Sequence, residues 1–362
     1  MNPTELQILW FLLVGVLFTG YLVLEGFDFG VGMLTNIIPR GAGGEESREQ
    51  ERRLLINTIG PVWDGNEVWL LTAGGAMFAA FPFWYATLFS GFYLPLLLIL
   101  VALILRGVAF EYRGKIADPR WRKVFDIFIA IGSWLPALLW GVAFGNFVRG
   151  VALAPNQYGN LDYVGGFWAL LNPFALLGGL VTLVMFLLHG SVYLALKTDG
   201  DVRVRANRLA SWLGKAALVI VAAWGVWAVL SYAPTWAWIP VLVAVGALIA
   251  CLVANARGRE GWAFFFSALV MPALIALIFG SMYPYAMRGL AGGPGLTLAE
   301  ASSTQYTLGV MSIVALLLVP VVLAYTAWTY WVFRRRLSTH HIPAPAGLSL
   351  NRIKAAAFGG SY

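Results

Sequence analysis

The chain has 362 residues, of which 60% are hydrophobic and only 11% are charged, with a mean hydropathy of +0.77. This composition excludes an ordinary soluble globular protein and is typical of a polytopic helical membrane protein. Its apolar runs are continuous over about twenty residues or more, whereas membrane β-barrel strands alternate over about ten. The predicted fold class is an all-α polytopic membrane protein.

Basic residues follow the predicted membrane topology. The apolar runs predict about nine transmembrane helices, and all 24 lysines and arginines except Arg149 and Arg288 lie on or beside alternate loops. Because cytoplasmic loops carry an excess of basic residues, we expect the N-terminus outside the cell and the C-terminus in the cytoplasm. Topology thereby explains the net charge of +7, and no nucleic-acid partner is expected.

The first span, about residues 7–38, carries two acids. Glu25 and Asp28 are three residues apart and therefore share one helix face. Acids at membrane depth cost about 2.5–3.5 kcal/mol each on insertion scales and tend to mark ion or proton pathways. Three small residues would let a neighbouring helix approach closely, namely Gly26, Gly30 and Gly32.

The second span, about residues 54–81, is unusually polar for a membrane segment. Its first half contains two amides, Asn57 and Asn66, and two acids, Asp64 and Glu67. At about 100° per residue, Asn57, Asp64 and Glu67 fall within about 80° on one helix face. Pro61 removes one helix hydrogen bond. We expect this broken helix to pack against the first span.

The depth of the acids favours a proton pathway. At ~1.5 Å per residue, Asp28 and Asp64 lie about 15 Å from the cytoplasmic boundary, and Glu25 and Glu67 lie about 20 Å from it. If the two helices are adjacent, the four acids form two levels near the middle of the bilayer. Asn57 lies on the cytoplasmic side of this route. A file of carboxyl groups of this kind can relay protons.

A structural role for the acids is the alternative. The third span ends near Arg106, which lies at or just inside the cytoplasmic boundary and could pair with an acid. Asn66 and Trp63 are expected to serve in pairing and packing. The acids would then hold the helices together as ion pairs.

No haem or metal ligand and no catalytic residue is expected in this chain. A haem site with two histidine ligands needs two histidines within the membrane. Only His189 qualifies, because His340 and His341 lie in the C-terminal tail. The single cysteine, Cys251, excludes a disulfide framework and a thiolate metal site.

The spans group into two units with a further helix. We expect a first four-helix bundle with the acid-bearing helices in residues 1–150 and a second four-helix bundle in residues 151–290. The ninth helix is expected in residues 291–336, and residues 337–362 are expected to form a cytoplasmic tail.

Two motifs resemble subunit II of the cytochrome bd-type quinol oxidases. They are Gly26-Phe27-Asp28-Phe29-Gly30-Val31-Gly32-Met33-Leu34 and Pro61-Val62-Trp63-Asp64-Gly65-Asn66-Glu67-Val68-Trp69. The resemblance continues through six shorter stretches, at residues 72–76, 89–93, 141–146, 171–174, 262–264 and 325–328. It therefore spans nearly the whole chain.

This resemblance implies a nine-helix subunit without haem, paired by pseudo-symmetry with a haem-bearing subunit I in a bacterial cell membrane. Subunit I would hold two b-type haems and haem d, oxidise quinol and reduce dioxygen to water. In this family, subunit II is thought to help carry cytoplasmic protons through acids that match Asp28 and Asp64. Some members hold a structural quinone. A small single-helix subunit is a further candidate partner, beside quinone and lipid.

The sequence departs from the resembling family at two acids. Members often have Gln where Glu67 stands, so Glu67 adds a carboxyl group to the predicted route. Glu25 replaces an Asp, which keeps the carboxyl group.

We therefore predict a subunit of a respiratory quinol:oxygen oxidoreductase that is not catalytic alone and supports assembly and proton delivery. One alternative is a secondary transporter with an ion or substrate site at the midplane, on the broken second helix. The other alternative is a pure scaffold.

Overall fold

The computed structural model describes residues 2–41, 43–342, 347 and 348. Its α-helices are α1 (Glu5–Leu34), α2 (Glu45–Ile59), α3 (Trp63–Ala80), α4 (Pro82–Gly91), α5 (Tyr93–Tyr112), α6 (Pro119–Arg149), α7 (Gly166–Leu170), α8 (Pro173–Lys197), α9 (Gly200–Ser231), α10 (Trp238–Ala256), α11 (Glu260–Met282), α12 (Leu298–Ala301) and α13 (Gln305–Val332). Two short antiparallel hairpins pair β1 (Leu153–Pro155) with β2 (Leu161–Tyr163) and β3 (Tyr285–Met287) with β4 (Leu296–Thr297).

Eight helices of the described chain are long and apolar enough to cross a membrane, which confirms the all-α polytopic fold. They are α1, α5, α6, α8, α9, α10, α11 and α13. The expected second span is divided into α2 and α3 at Gly60-Pro61-Val62, and neither part is among these eight helices. The count of nine therefore stays a prediction.

The helix break has a local cause and a consequence for the polar face. Pro61 has no amide hydrogen and cannot continue the ladder of helix hydrogen bonds. Asn57 therefore lies on α2, whereas Asp64 and Glu67 lie on α3. The expectation that one helical face holds all three side chains is wrong.

Helix α1 lies in the middle of the bundle and packs against α3, α6, α8 and α11. The close approach predicted at its glycines is found, but toward α8 and α6 rather than α3. A Cβ atom on Gly30 would lie only 2.7 Å from the Gly190 Cα on α8, and one on Gly26 would lie 2.8 Å from the Phe186 ring. Since α8 also packs against α6, the two expected four-helix units are in contact, and their boundaries stay a prediction.

The lysine- and arginine-rich connections lie at one end of the bundle, which we call the basic end. There α2 is fastened to α5 and α6 by a set of ion pairs that we call the basic-end network, formed by Glu49, Arg52, Arg113 and Asp126. A short turn, Thr339–His341, packs on α2, where the Gln50 side chain donates to the Thr339 carbonyl at 3.0 Å. Most of the predicted tail, residues 343–346 and 349–362, lies outside the described residues.

Helix α13 lies at the edge of the bundle. Its only buried residue is Leu308, and its apolar side chains are otherwise largely exposed. It contacts α1 and α3, and near its C-terminal end Tyr330 reaches a polar side chain of α3.

Candidate functional site

Arg106 is the centre of a buried group of ionisable side chains between α1, α3 and α5. Its Nη2 donates to Glu25 Oε1 on α1 and lies 2.6 Å from Glu67 Oε1 on α3. The side chains of Arg106 and Glu25 are completely buried, whereas that of Glu67 is 24% exposed. The guanidinium lies over the Phe29 ring, 4.5 Å from its centroid. Glu67 therefore connects a fully buried ion pair to the surface of the subunit.

Asp28 lies one helical turn from Glu25 and is also completely buried. Asn66 of α3 donates through Nδ2 to Asp28 Oδ2 at 2.6 Å. Tyr330 of α13 donates to Asn66 Oδ1 at 2.8 Å. Because the tyrosine hydroxyl occupies the amide oxygen, it holds the amide NH2 group toward Asp28.

We call Glu25, Asp28, Asn66, Glu67 and Arg106 the acid cluster. It contains three carboxyl groups and one guanidinium. Among the described residues, four of its polar atoms have no hydrogen-bond partner, namely Glu25 Oε2, Asp28 Oδ1, Arg106 Nε and Arg106 Nη1. Buried polar atoms are usually hydrogen-bonded, so this cluster retains an unusual capacity for further hydrogen bonds.

The remaining predicted site residues lie outside the acid cluster. Asp64 is exposed in the first turn of α3, three residues before Glu67, and forms no ion pair with the described part of the chain. Asn57 is exposed, and its side chain donates to the Arg53 carbonyl at 2.9 Å. Trp63 packs against the Phe110 ring, with 5.3 Å between centroids.

Tyr330 does not stand out in the sequence as a site residue. A tyrosine near the end of an apolar helix is usually interpreted as an anchor at the membrane interface. Only the packing of α13 against α3 brings this hydroxyl to Asn66.

His189 does not fit the role of a haem ligand. Its Nε2 donates to the Val23 carbonyl at 3.0 Å, and its Nδ1 lies 2.8 Å from the Ser267 hydroxyl. The imidazole stacks on Phe264 with 4.6 Å between ring centroids. Because both ring nitrogens bond protein atoms, coordination of an iron would require one of these bonds to break.

An apolar cavity of about 580 Å³ lies beside the acid-bearing helices. Side chains of α1, α3, α4, α5 and α6 form its wall, including Phe18, Met77, Phe92, Leu96 and Trp140. Gly74 of α3 contributes to the same wall, and a Cβ atom there would meet nothing within 4 Å.

Comparison with known proteins gives a consistent result. The model of the family described as cytochrome bd terminal oxidase subunit II matches residues 6–333. The chain is 41% identical to cytochrome bd-I ubiquinol oxidase subunit 2 of Escherichia coli (strain K12), over 93% of this chain and 96% of the relative. It is 40% identical to cytochrome bd ubiquinol oxidase subunit 2 of Bacillus subtilis (strain 168), over 92% of this chain and 97% of the relative.

A solved structure shares the fold. A chain in the structure of bd oxidase from Geobacillus thermodenitrificans matches with a TM-score of 0.69 and 14% sequence identity. The match covers 92% of this chain and 99% of that chain.

Proposed function

Since the chain belongs to the cytochrome bd terminal oxidase subunit II family, we propose that it helps to deliver cytoplasmic protons to the haem-bearing partner subunit. As a member of this family, it is a multi-pass subunit of a bacterial respiratory quinol oxidase, an oxidoreductase complex that includes haems and a subunit I. The relatives are oxidase subunits, and nothing in the comparisons supports the transporter alternative.

The observation that carries this proposal is the charge balance of the acid cluster. One guanidinium, that of Arg106, contacts two of three buried or half-buried carboxyl groups. Burying an uncompensated charge costs several kcal/mol or more. The three acids together carry more negative charge than Arg106 can balance unless protons are bound. A cluster that must bind protons and has unoccupied acceptor atoms is suited to pass them on.

The positions of the acids suggest an order for the route. Asp64 is exposed at the start of α3, and Glu67 lies three residues further along the same helix. Glu67 shares Arg106 with the fully buried Glu25, and Asp28 follows one turn away on α1. We propose that protons enter at Asp64, with Asp28 as the buried carboxyl group at the same depth, and pass on to Glu67 and Glu25 at the deeper level. This route requires that the basic end of the bundle faces the cytoplasm. The N-terminus then lies outside the cell, as the excess of basic residues on cytoplasmic loops indicates.

A pure scaffold makes a different prediction at Asp64. The ion pairs of Arg106 would be expected for either role. Asp64, in contrast, is exposed and has no ion-pair partner in the described chain, so within this subunit its carboxylate can stabilise only the N-terminal end of α3, by about 1 kcal/mol or less. The effect of removing this charge distinguishes the two roles.

The test is Asp64→Asn in the intact oxidase complex. Quinol-dependent oxygen consumption should fall by about tenfold or more, because a relay that loses a proton-carrying group loses much of its rate. The reduced-minus-oxidised haem spectrum and the ratio of subunits should stay unchanged. Glu111→Gln is the matched control, since Glu111 is an exposed acid on α5 outside the acid cluster. Wild-type turnover of the Asp64→Asn complex with intact haems would exclude this residue from the route.

We assign the two b-type haems and haem d to subunit I, because no histidine of a described membrane helix in this chain has a free ring nitrogen. The exposed apolar surface of α13 favours a partner helix there, in subunit I or in a small single-helix subunit. Purification from the native membrane should yield haem b and haem d bands together with a second large subunit. A colourless, solitary chain would contradict this assignment.

The apolar cavity is where we propose that a structural quinone sits. Its wall is formed by aromatic and aliphatic side chains, which suit an isoprenoid tail. Gly74→Leu would place a side chain in this open space without an initial clash. The quinone content of the purified complex, measured by mass spectrometry, should then fall by about one molecule per complex. Unchanged quinone content would place the quinone elsewhere.

A further inference from the structure

A second cavity, of about 1260 Å³, opens at the basic end between α2 and the beginning of α6. Five basic side chains contribute to its lining, namely Arg48, Arg52, Arg53, Arg122 and Lys123. We call this space the basic cavity. On one side it continues onto apolar residues of α6, where Ile127 is 49% exposed and Ile131 is 41% exposed. The cavity thus joins a positively charged pocket to an apolar helix face.

Four acids also line the basic cavity, which leaves its lining with one more basic side chain than acidic side chains. Glu49 and Asp126 line it, but both are bound by Arg113, at 2.8 Å and 2.6 Å, and by Arg52. Arg122 reaches Glu49 only at 3.8 Å. The two other acids of the lining, Glu45 and Glu46, are exposed in the first turn of α2.

Two further observations indicate an excess of positive charge. The Nε atom of Arg48 is buried and has no hydrogen-bond partner among the described residues. Burial lowers the pKa of Arg53; the charge of Glu49 opposes this shift, and the charges of Arg122 and Arg113 add to it. Like charges therefore converge on this space, and a bound anion would relieve their repulsion.

We infer that the basic cavity binds the phosphate headgroup of an anionic phospholipid, with an acyl chain against Ile127 and Ile131. A phosphate oxygen can accept hydrogen bonds from Arg48 and Arg122, and Lys123 adds a third positive charge. Basic pockets at the cytoplasmic ends of membrane helices are suited to anionic lipids. A free phosphate would satisfy the same cations but would leave the apolar face of α6 unused.

The test is native mass spectrometry of the delipidated oxidase complex with added lipid. Phosphatidylglycerol, phosphatidylcholine and inorganic phosphate are compared on the wild type and on the double variant Arg122→Gln/Lys123→Gln. We expect the wild type to retain phosphatidylglycerol in preference to phosphatidylcholine. The double variant should bind it about tenfold or more weakly, since each basic group near a membrane surface contributes about fivefold.

Arg120→Gln is the matched control, because Arg120 lies on the same helix turn, is exposed and does not line the cavity. It should bind phosphatidylglycerol as the wild type does. If the double variant does not assemble, Lys123→Gln alone changes an exposed side chain and should weaken binding by about fivefold. Equal lipid retention by wild type and variant would overturn the inference. Competition by inorganic phosphate at the lipid's own concentration would overturn the assignment to a lipid.

Discussion

Two buried groups of ion pairs in this subunit have opposite charge balances. In the basic-end network, two arginines face two acids, and Arg113 binds both Glu49 and Asp126. In the acid cluster, the single Arg106 faces three carboxyl groups. The first group lies at the basic end of the bundle, and the second lies between α1, α3 and α5.

This difference suggests what each group does. Burial alone would raise the pKa of Glu49, but the hydrogen bonds and charge of Arg113, with Arg122 and Arg52, lower it below its ordinary value. Glu49 therefore stays ionised at neutral pH, and the network carries fixed charges that fasten α2 to α5 and α6. The acid cluster cannot hold fixed charges on all of its members without a large cost. A balanced network suits attachment, and an unbalanced one suits exchange of protons.

The largest expected effect comes from removing Arg106. Arg106→Gln leaves the buried Glu25 without a cation, and breaking a buried pair by removing one partner costs about 3–5 kcal/mol. We expect a severe loss of assembled complex, measured as the yield of haem-containing oxidase per milligram of membrane. Arg113→Gln should lose less, because Arg52 remains near both Glu49 and Asp126.

A compensating change sharpens this result. Arg106→Gln/Glu25→Gln removes both charges of the buried pair and should recover part of the lost assembly. If Arg106→Gln assembled as well as Arg113→Gln, the two groups would not differ in the way their charge balance indicates.

The next effect separates turnover from stability. Asp28→Asn keeps the shape of a buried side chain but removes its ability to carry a proton. Asp126→Asn makes the same chemical change in the basic-end network. Oxygen consumption should fall by about tenfold or more for Asp28→Asn, with the haem spectrum retained. Asp126→Asn should lower the thermal stability of the complex and leave its turnover near that of the wild type.

The reverse pattern would contradict the comparison. A complex with Asp28→Asn that turns over normally but unfolds at lower temperature would make the acid cluster a structural element like the basic-end network.

The membrane fold and four residues of the acid cluster could be predicted from the sequence, for a physical reason. Acids and amides are so costly in a bilayer that Glu25, Asp28, Asn66 and Glu67 stand out from their apolar surroundings. The position of Arg106 at or just inside the predicted cytoplasmic boundary also indicated that it could pair with an acid. These inferences require only local sequence and the energetic cost of burial.

Other features depend on tertiary contacts that local sequence does not encode. The exposure of Asp64 depends on the orientation of α3 after the break at Pro61, and a periodicity argument across that proline wrongly placed Asn57 on the same helix as Asp64 and Glu67. The glycines of α1 predicted a close helix neighbour, but their spacing does not say that this neighbour is α8. Tyr330 lies 264 residues from Asn66 in the chain, so no rule of helical spacing could have predicted their contact.

The smallest effect tests that long-range contact. Tyr330→Phe removes the hydroxyl that donates to Asn66 Oδ1 and should leave the packing of the ring intact. A hydrogen bond of this kind contributes about 1 kcal/mol, so turnover should fall by about threefold to fivefold if the amide of Asn66 loses its orientation toward Asp28. Tyr325→Phe is the control, because Tyr325 lies on the same helix and is 65% exposed. Combined with Asp28→Asn, the Tyr330→Phe change should produce little additional loss, because both act through the same carboxyl group. Additive losses would mean that Tyr330 acts independently of the acid cluster, and α13 would then have no part in orienting its acids.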